Sequence, residues 1–135
     1  MRILYAGSPA PSAKVLDHLA QSETIEVVGV ITQPDKRRKR GSAKEGSAVA
    51  NVAKKHRLNI LKPHNLDEGF KESIKNIEFD VLVVSAYGKI LPNWLLDKAL
   101  IMPVNIHYSL LPKYRGASPI QSSILNGDKE TGITF

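Results

Sequence analysis

The feature that most constrains this chain is an alternation of short apolar runs with longer amphipathic ones. Five apolar runs read as strands: "RILYA" (2–6), "EVVGVIT" (26–32), "LNIL" (58–61), "FDVLVVSA" (79–86) and "MPVNIH" (102–107). They are short and rich in β-branched residues, as buried strands are. Between them lie segments with helical spacing. Pro9, Pro11 and Ser12 open a first helix with Val15, Leu16 and Leu19 on one stripe. A second helix, from about Ser47 to His56, carries Val49, Val52 and Ala53 on one side. In "NLDEGFKESIKNI", Leu66, Phe70, Ile74 and Ile77 repeat at helical intervals, and Asn65 is the expected N-cap. "PNWLLDKAL" reads as a short helix with Pro92 near its start. "SPIQSSILNG" (118–127) reads as a helix ending at Gly127, and "TGITF" begins one more strand. The pattern βαβαβαβαβα plus a strand predicts an α/β fold, a mostly parallel sheet flanked by helices. "FDVLVVSA" is nearly all apolar, which suits a central strand covered on both faces.

With 135 residues there is room for one domain, 1–135. A hydrophobic share of 42% provides a core and argues against global disorder. No apolar run approaches the ~20 residues of a membrane-spanning helix. "MRILYAGSP" is too brief in its apolar part for a secretory signal and reads better as a first strand. The absence of cysteine excludes disulfides and thiolate metal sites. The expectation is a soluble cytoplasmic protein. The net charge of +6 arises from 19 basic and 13 acidic residues. Five of those bases form "KRRKR", Lys36 to Arg40, and taking these five from the 19 leaves 14 against 13. The basic character is therefore local, and a local basic loop suits a polyanionic partner.

Ligands of parallel α/β sheets bind beyond the carboxyl ends of the strands. Gly7 to Pro11, Ser85 to Pro92 and Asn105 to Gly116 occupy that position. In a strand, residues two apart face the same side, so Asn105 and His107 point together and Ile106 points away. The histidine can exchange a proton with an amine near neutral pH. The asparagine amide can donate to a developing oxyanion. The pair suits acyl transfer to an amine through a tetrahedral intermediate. It equally suits a capped turn beside a satisfied core histidine. "SAYGKILP" (85–92) offers the flat face of Tyr87 and the free backbone of Gly88, or else an ordinary strand-to-helix turn. "AGSPAPS" lacks the G-x-G-x-x-G spacing of dinucleotide binders, which disfavours an NAD-dependent oxidoreductase. His18, His56 and His64 have no metal-ligand spacing, and Phe70 and Trp94 read as core. "KRRKR" suits phosphate contact or a solvated loop.

Taken together, "RILYAGSP", "ITQPDK" before the basic loop, "VVSAYGKILP" and "NIHYSLLPKYRG" resemble the folate-dependent formyltransferase family over the whole of Met1 to Phe135. The "TQPDK" and basic-loop combination resembles most the branch that acts on tRNA. The resemblance implies a Rossmann-like formyltransferase fold, truncated in its last strands. It implies transfer of a formyl group, without a metal, from 10-formyltetrahydrofolate to the amino group of methionine on initiator methionyl-tRNA, a step of translation initiation. Asn105 and His107 would be the catalytic pair. The folate donor would meet Tyr87, Gly88, Ile90 and Leu91, together with Ser109, Leu110, Leu111 and Pro112. The tRNA would meet Lys36, Arg37, Arg38, Lys39, Arg40 and Gly41. A sugar-nucleotide or purine-precursor acceptor and a noncatalytic folate- or nucleic-acid-binding remnant are the alternatives.

Two departures from the family pattern stand out. Tyr108 follows the histidine where a smaller residue or proline is expected. The family's catalytic aspartate falls beyond Phe135, as does its C-terminal tRNA-binding domain. The expectations are thus a fragment, inactive or very weak alone, and a monomer when complete. Asp128 and Glu130, in the turn after the last helix, are expected to be solvating residues.

Overall fold

The computed structural model describes residues 1–37 and 44–135. In chain order the elements are β1 (Arg2–Gly7), α1 (Ala10–Ala20), β2 (Glu26–Ile31), β3 (Lys36–Arg37), β4 (Lys44–Glu45), α2 (Ala48–Lys55), β5 (Ile60–Leu61), α3 (Glu68–Ser73), β6 (Val81–Ser85), α4 (Asn93–Leu96), β7 (Met102–Asn105) and α5 (Pro119–Leu125). The expected alternation is present, with one small insertion. β3 and β4 pair antiparallel in the register Lys36 to Glu45 and frame the basic loop. Arg38, Lys39, Arg40 and Gly41 lie outside the described residues.

Five strands form one sheet in the order β5-β2-β1-β6-β7, and every pairing is parallel. From β1 the chain steps outward through β2 to β5, then crosses back to place β6 on the other side of β1. That reversal makes the carboxyl ends of β1 and β6 a topological switch point, where a crevice opens. The central position belongs to β1, with β6 beside it, a correction to the expectation that 79–86 would be central. β6 is interior all the same, which explains its apolar sequence.

Strand alternation sorts the core into two layers. Ile3, Tyr5 and Val81 pack with Leu16 of α1 and with Val49 and Ala53 of α2. Leu4, Ala6 and Leu82 pack with Phe70, Ile74 and Leu95 on the opposite face. Val27 and Val30 both reach the first layer although they are three apart. A bulge accounts for this: Ile3 pairs with Val27, but Leu4 pairs with Gly29, and the extra residue resets the alternation.

The helix ends differ in detail from the sequence pattern. Ser47 caps α2, its Oγ accepting the Ala50 N–H at 3.0 Å. α3 starts later than Asn65 suggests, because Asp67 takes the cap and its Oδ1 accepts the Phe70 N–H at 3.1 Å. A carboxylate at that position also suits the positive end of the helix dipole. After β7 the chain leaves the parallel ladder. His107 then exchanges two backbone hydrogen bonds of 2.9 Å with Thr134, an antiparallel bridge. "TGITF" thus returns against the histidine segment and contributes one bridge there. Among the described residues no helix is long and apolar enough to cross a membrane.

Candidate active site

A cleft of about 640 Å³ opens at the switch point. Its wall draws on all three segments at the strand ends: Pro9 and Pro11 after β1, Ala86 to Ile90 after β6, and Asn105 to Tyr108 at the end of β7. Gly116 to Gln121 close the far side, apart from Ser118. The volume falls in the ordinary range for small-molecule sites. Asn105 is exposed, and its side chain makes no hydrogen bond among the described residues. Its amide is free to donate into the cleft. His107 is half-buried, and its Nε2 lies 2.9 Å from the Tyr114 carbonyl oxygen. A carbonyl only accepts, so Nε2 carries the proton, and in the neutral ring Nδ1 holds the lone pair. Ile106, expected to face away, is buried between them and also reaches the cleft wall.

Beneath the cleft, hydroxyl groups tie the strand ends together. Tyr5 donates to the Ser12 carbonyl at 2.7 Å, and Ser12 Oγ donates to the Ser85 carbonyl at 2.7 Å. Ser85 Oγ lies 2.7 Å from the Tyr108 hydroxyl. Burial pushes the Tyr5 hydroxyl pKa up, and the hydrogen bonds to Ser12 and Ser85 pull against it. Tyr108, the unexpected residue after the histidine, is therefore part of the cleft wall and is anchored to β6. Only the small polar residues interrupting apolar runs, Ser85 above all, hinted at this network in the sequence.

The turn after β6 separates this cleft from a second one of about 530 Å³, which reaches Ser8, Gln33, Lys36 and Ser47. Ala86 and Gly88 both have positive φ, 48° and 85°. Glycine adopts that geometry without strain, whereas an alanine held there indicates a tightly determined turn. Gln33 Nε2 donates to the Tyr87 carbonyl at 3.0 Å and fixes it. Tyr87 itself is only 2% exposed. Its hydroxyl is buried with no hydrogen-bond partner among the described residues, and burial raises its pKa. A buried unpaired hydroxyl costs roughly 1–3 kcal/mol. Tyr87→Phe is accordingly expected to raise stability by about 1 kcal/mol, read as a higher denaturant midpoint with an unchanged m-value. A loss of stability would show that the hydroxyl is satisfied in solution.

Of the residues singled out in the sequence, the fold brings Asn105, His107, Tyr87, Gly88 and Ile90 to one cleft. Lys36 lines the neighbouring one. Leu91 instead packs on the core. Ser109 is buried, and its Oγ donates to the Lys113 carbonyl at 2.7 Å. Leu110 and Leu111 are about half exposed. The segment Ser109 to Pro112 is thus outside the cleft wall, as a loop stapled beneath the histidine. Asp128 is not a solvating residue: its Oδ2 accepts the Tyr114 hydroxyl at 2.7 Å. No group of three or more histidines, aspartates or glutamates among the described residues could hold a metal ion. Among the described residues, no carboxylate lines the main cleft.

The family profile for formyl transferase matches residues 1–135, the whole chain. The chain belongs to the formyltransferase family. Among curated relatives, the methionyl-tRNA formyltransferase of Mycoplasmopsis pulmonis is 42% identical over 135 residues, covering 100% of this chain and 46% of that protein. The enzyme of the same name from Thermosynechococcus vestitus is 46% identical, covering 99% of this chain and 41% of that protein. The chain therefore spans less than half the length of these relatives. The fold matches the crystal structure of phosphoribosylglycinamide formyltransferase from Bacillus halodurans with a TM-score of 0.73 at 23% identity, over 99% of this chain and 70% of that one.

Proposed function

We propose that these residues form the formyl-transfer region of a methionyl-tRNA formyltransferase, acting on the methionine amino group of initiator methionyl-tRNA with 10-formyltetrahydrofolate as donor. The observation that carries this reading is the convergence of Asn105 and His107 with the Tyr87–Ile90 turn in one cleft at the switch point. The names of the relatives with 42% and 46% identity support the acceptor.

The cleft fits the donor chemically. Ile90 and Ile120 offer exposed apolar cover for a flat ring system, with Tyr87 and Ile106 buried in the wall behind them. Lys89 on the rim suits the carboxylates of a folate tail. When bound, the donor supplies an electrophilic formyl carbon. Asn105 then donates from its amide to the formyl oxygen as the amine adds and the oxygen gains charge, where such a donor is worth most. His107 takes the ammonium proton at Nδ1 and returns a proton to the departing donor nitrogen. Addition of the amine would open the formyl carbonyl to a tetrahedral oxyanion, and collapse of that species would break the bond to the donor nitrogen, leaving the formyl group on the methionine amine. Because none of the described residues brings a carboxylate to the cleft, the imidazole has no acidic partner among them. The 135-residue polypeptide assayed alone is therefore expected to be very weak, a positioned acid–base group being worth ~10²–10⁴ in rate.

Lys36, at the second cleft beside the shared wall Ala86–Gly88, supports an RNA path from the basic loop to the reaction centre. Replacing Lys36, Arg37, Arg38, Lys39 and Arg40 with neutral residues tests the acceptor. In an active polypeptide carrying residues 1–135, KM for methionyl-tRNA should rise at least tenfold, and affinity should depend less on salt. Unchanged tRNA use, or efficient formylation of a small amine such as a purine precursor, would overturn the acceptor assignment.

A further inference from the structure

We propose that Tyr114 is a positioning residue for His107, fixing the imidazole through its carbonyl while Asp128 anchors its hydroxyl. The inference rests on the role given to His107 above, but its test does not need formyl transfer.

The contacts form an unbroken chain. His107 Nε2 donates to the Tyr114 carbonyl at 2.9 Å. The Tyr114 hydroxyl donates to Asp128 Oδ2 at 2.7 Å, and Asn126 Nδ2 donates to the same hydroxyl at 3.1 Å. Lys113 Nζ stands 3.6 Å from Asp128 Oδ2 and adds a cation beside that carboxylate. Tyr114 is thus held at both ends, by the residues just after α5 and by the histidine.

Its backbone conformation explains why two anchors are needed. Tyr114 has φ of 55°, a region that a bulky residue seldom occupies and that persists when surrounding contacts over-determine it. That twist aims its carbonyl back at the imidazole. With the side chain released, the loop would keep its own bonds, from Ser109 Oγ to the Lys113 carbonyl and from the Lys113 N–H to the Leu110 carbonyl, but would lose the anchor on Tyr114 itself. Gly116, at φ of 103°, follows in a turn with open space around it.

The segment after α5 secures the backbone of the same histidine. Thr134 pairs both backbone groups with His107. Its Oγ1 also accepts the Leu111 N–H at 3.1 Å and donates to the Ser109 carbonyl at 2.8 Å. Thr134 fixes the histidine backbone, and Tyr114 fixes its ring. The consequence is chemical: a single tautomer with the proton on Nε2 leaves Nδ1 as the one nitrogen able to accept from an amine.

Long-range ¹H–¹⁵N spectra of the 135-residue chain, at a pH where His107 is neutral, report the tautomer directly. The unmodified chain should show the Nε2–H pattern alone. Tyr114→Phe and Asp128→Ala should each give a tautomer mixture, with a several-fold rise in the Nδ1–H population. Asp128→Asn keeps an acceptor oxygen for the hydroxyl and should restore the single pattern. Circular dichroism and backbone spectra of residues in β1 and β6 check that each variant is folded. If a variant unfolds, temperature-dependent spectra of Tyr114→Phe below its transition still carry the test. An Nδ1–H or mixed pattern in the unmodified chain, or no change in folded Asp128→Ala, would overturn the proposal. Failure of formyl transfer with the expected spectra would instead count against the functional reading.

Discussion

In an active polypeptide carrying residues 1–135, replacing Asn105 with alanine is expected to lower the proposed formyl transfer by ~10²–10³ in kcat, the usual effect of losing one donor to an oxyanion. The reasoning runs through what Asn105 does not do. Its side chain is exposed and makes no hydrogen bond among the described residues, so the fold does not depend on its amide. Its backbone remains in the β6–β7 ladder, where Asn105 pairs with Val84, and alanine keeps that pairing. The thermal midpoint should therefore move little while turnover collapses. KM for the donor should change far less than kcat, because the interaction strengthens only as charge develops on the formyl oxygen. A small effect on kcat with a large rise in KM would reassign Asn105 to ground-state binding. A large loss of stability would return it to the turn-capping role that the sequence pattern also allowed.

Much of this architecture was legible because the governing forces are periodic. Apolar runs with strand spacing and stripes with helix spacing gave the order of elements through α5, and switch-point geometry pointed to the three loops that line the cleft. What escaped the sequence has no period. Asp67 rather than Asn65 caps α3, since two cap-competent residues stand close together and only the position of the Phe70 N–H decides between them. The bulge at Gly29 depends on pairing with β1 and leaves no local signature. Asp128 looked like a solvated turn residue, but its partner Tyr114 lies 14 positions away and meets it only after α5 folds back. The hydroxyls of Tyr5, Ser12, Ser85 and Tyr108 come from β1, α1, the end of β6 and the segment after β7. Such contacts are properties of the closed fold. The Asn105–His107 pair was visible because strand alternation is local, whereas the groups that orient it come from far along the chain.

Gly7→Ala is expected to be among the most damaging single changes available, costing about 3 kcal/mol. "AGSPAPS" lacks the G-x-G-x-x-G spacing of dinucleotide binders, and the structure gives this glycine another reason. A Cβ there would stand 2.0 Å from Ser12 Oγ, 2.7 Å from the Ser85 carbonyl oxygen and 3.0 Å from Tyr5 Cε1. The Ser85 oxygen belongs to the neighbouring strand, which pairs with β1 at Gly7 itself, so it cannot retreat without breaking the ladder. Ser12 can rotate away only by abandoning its bonds to the Ser85 carbonyl and the Tyr5 hydroxyl, leaving buried polar atoms unpaired. For a chain of 135 residues that corresponds to a thermal midpoint lowered by about 10 °C. The double variant Gly7→Ala, Ser12→Ala removes the nearest clash, so its cost should be smaller than the sum of the two single costs, a coupling that a cycle of the four proteins measures. Additive costs, or a Gly7→Ala chain within about 1 kcal/mol of the parent, would show that the ends of β1 and β6 yield more easily than the packing implies. If the coupling holds, the close approach at Gly7 is what lets the ends of β1 and β6 share the Tyr5, Ser12 and Ser85 hydrogen bonds.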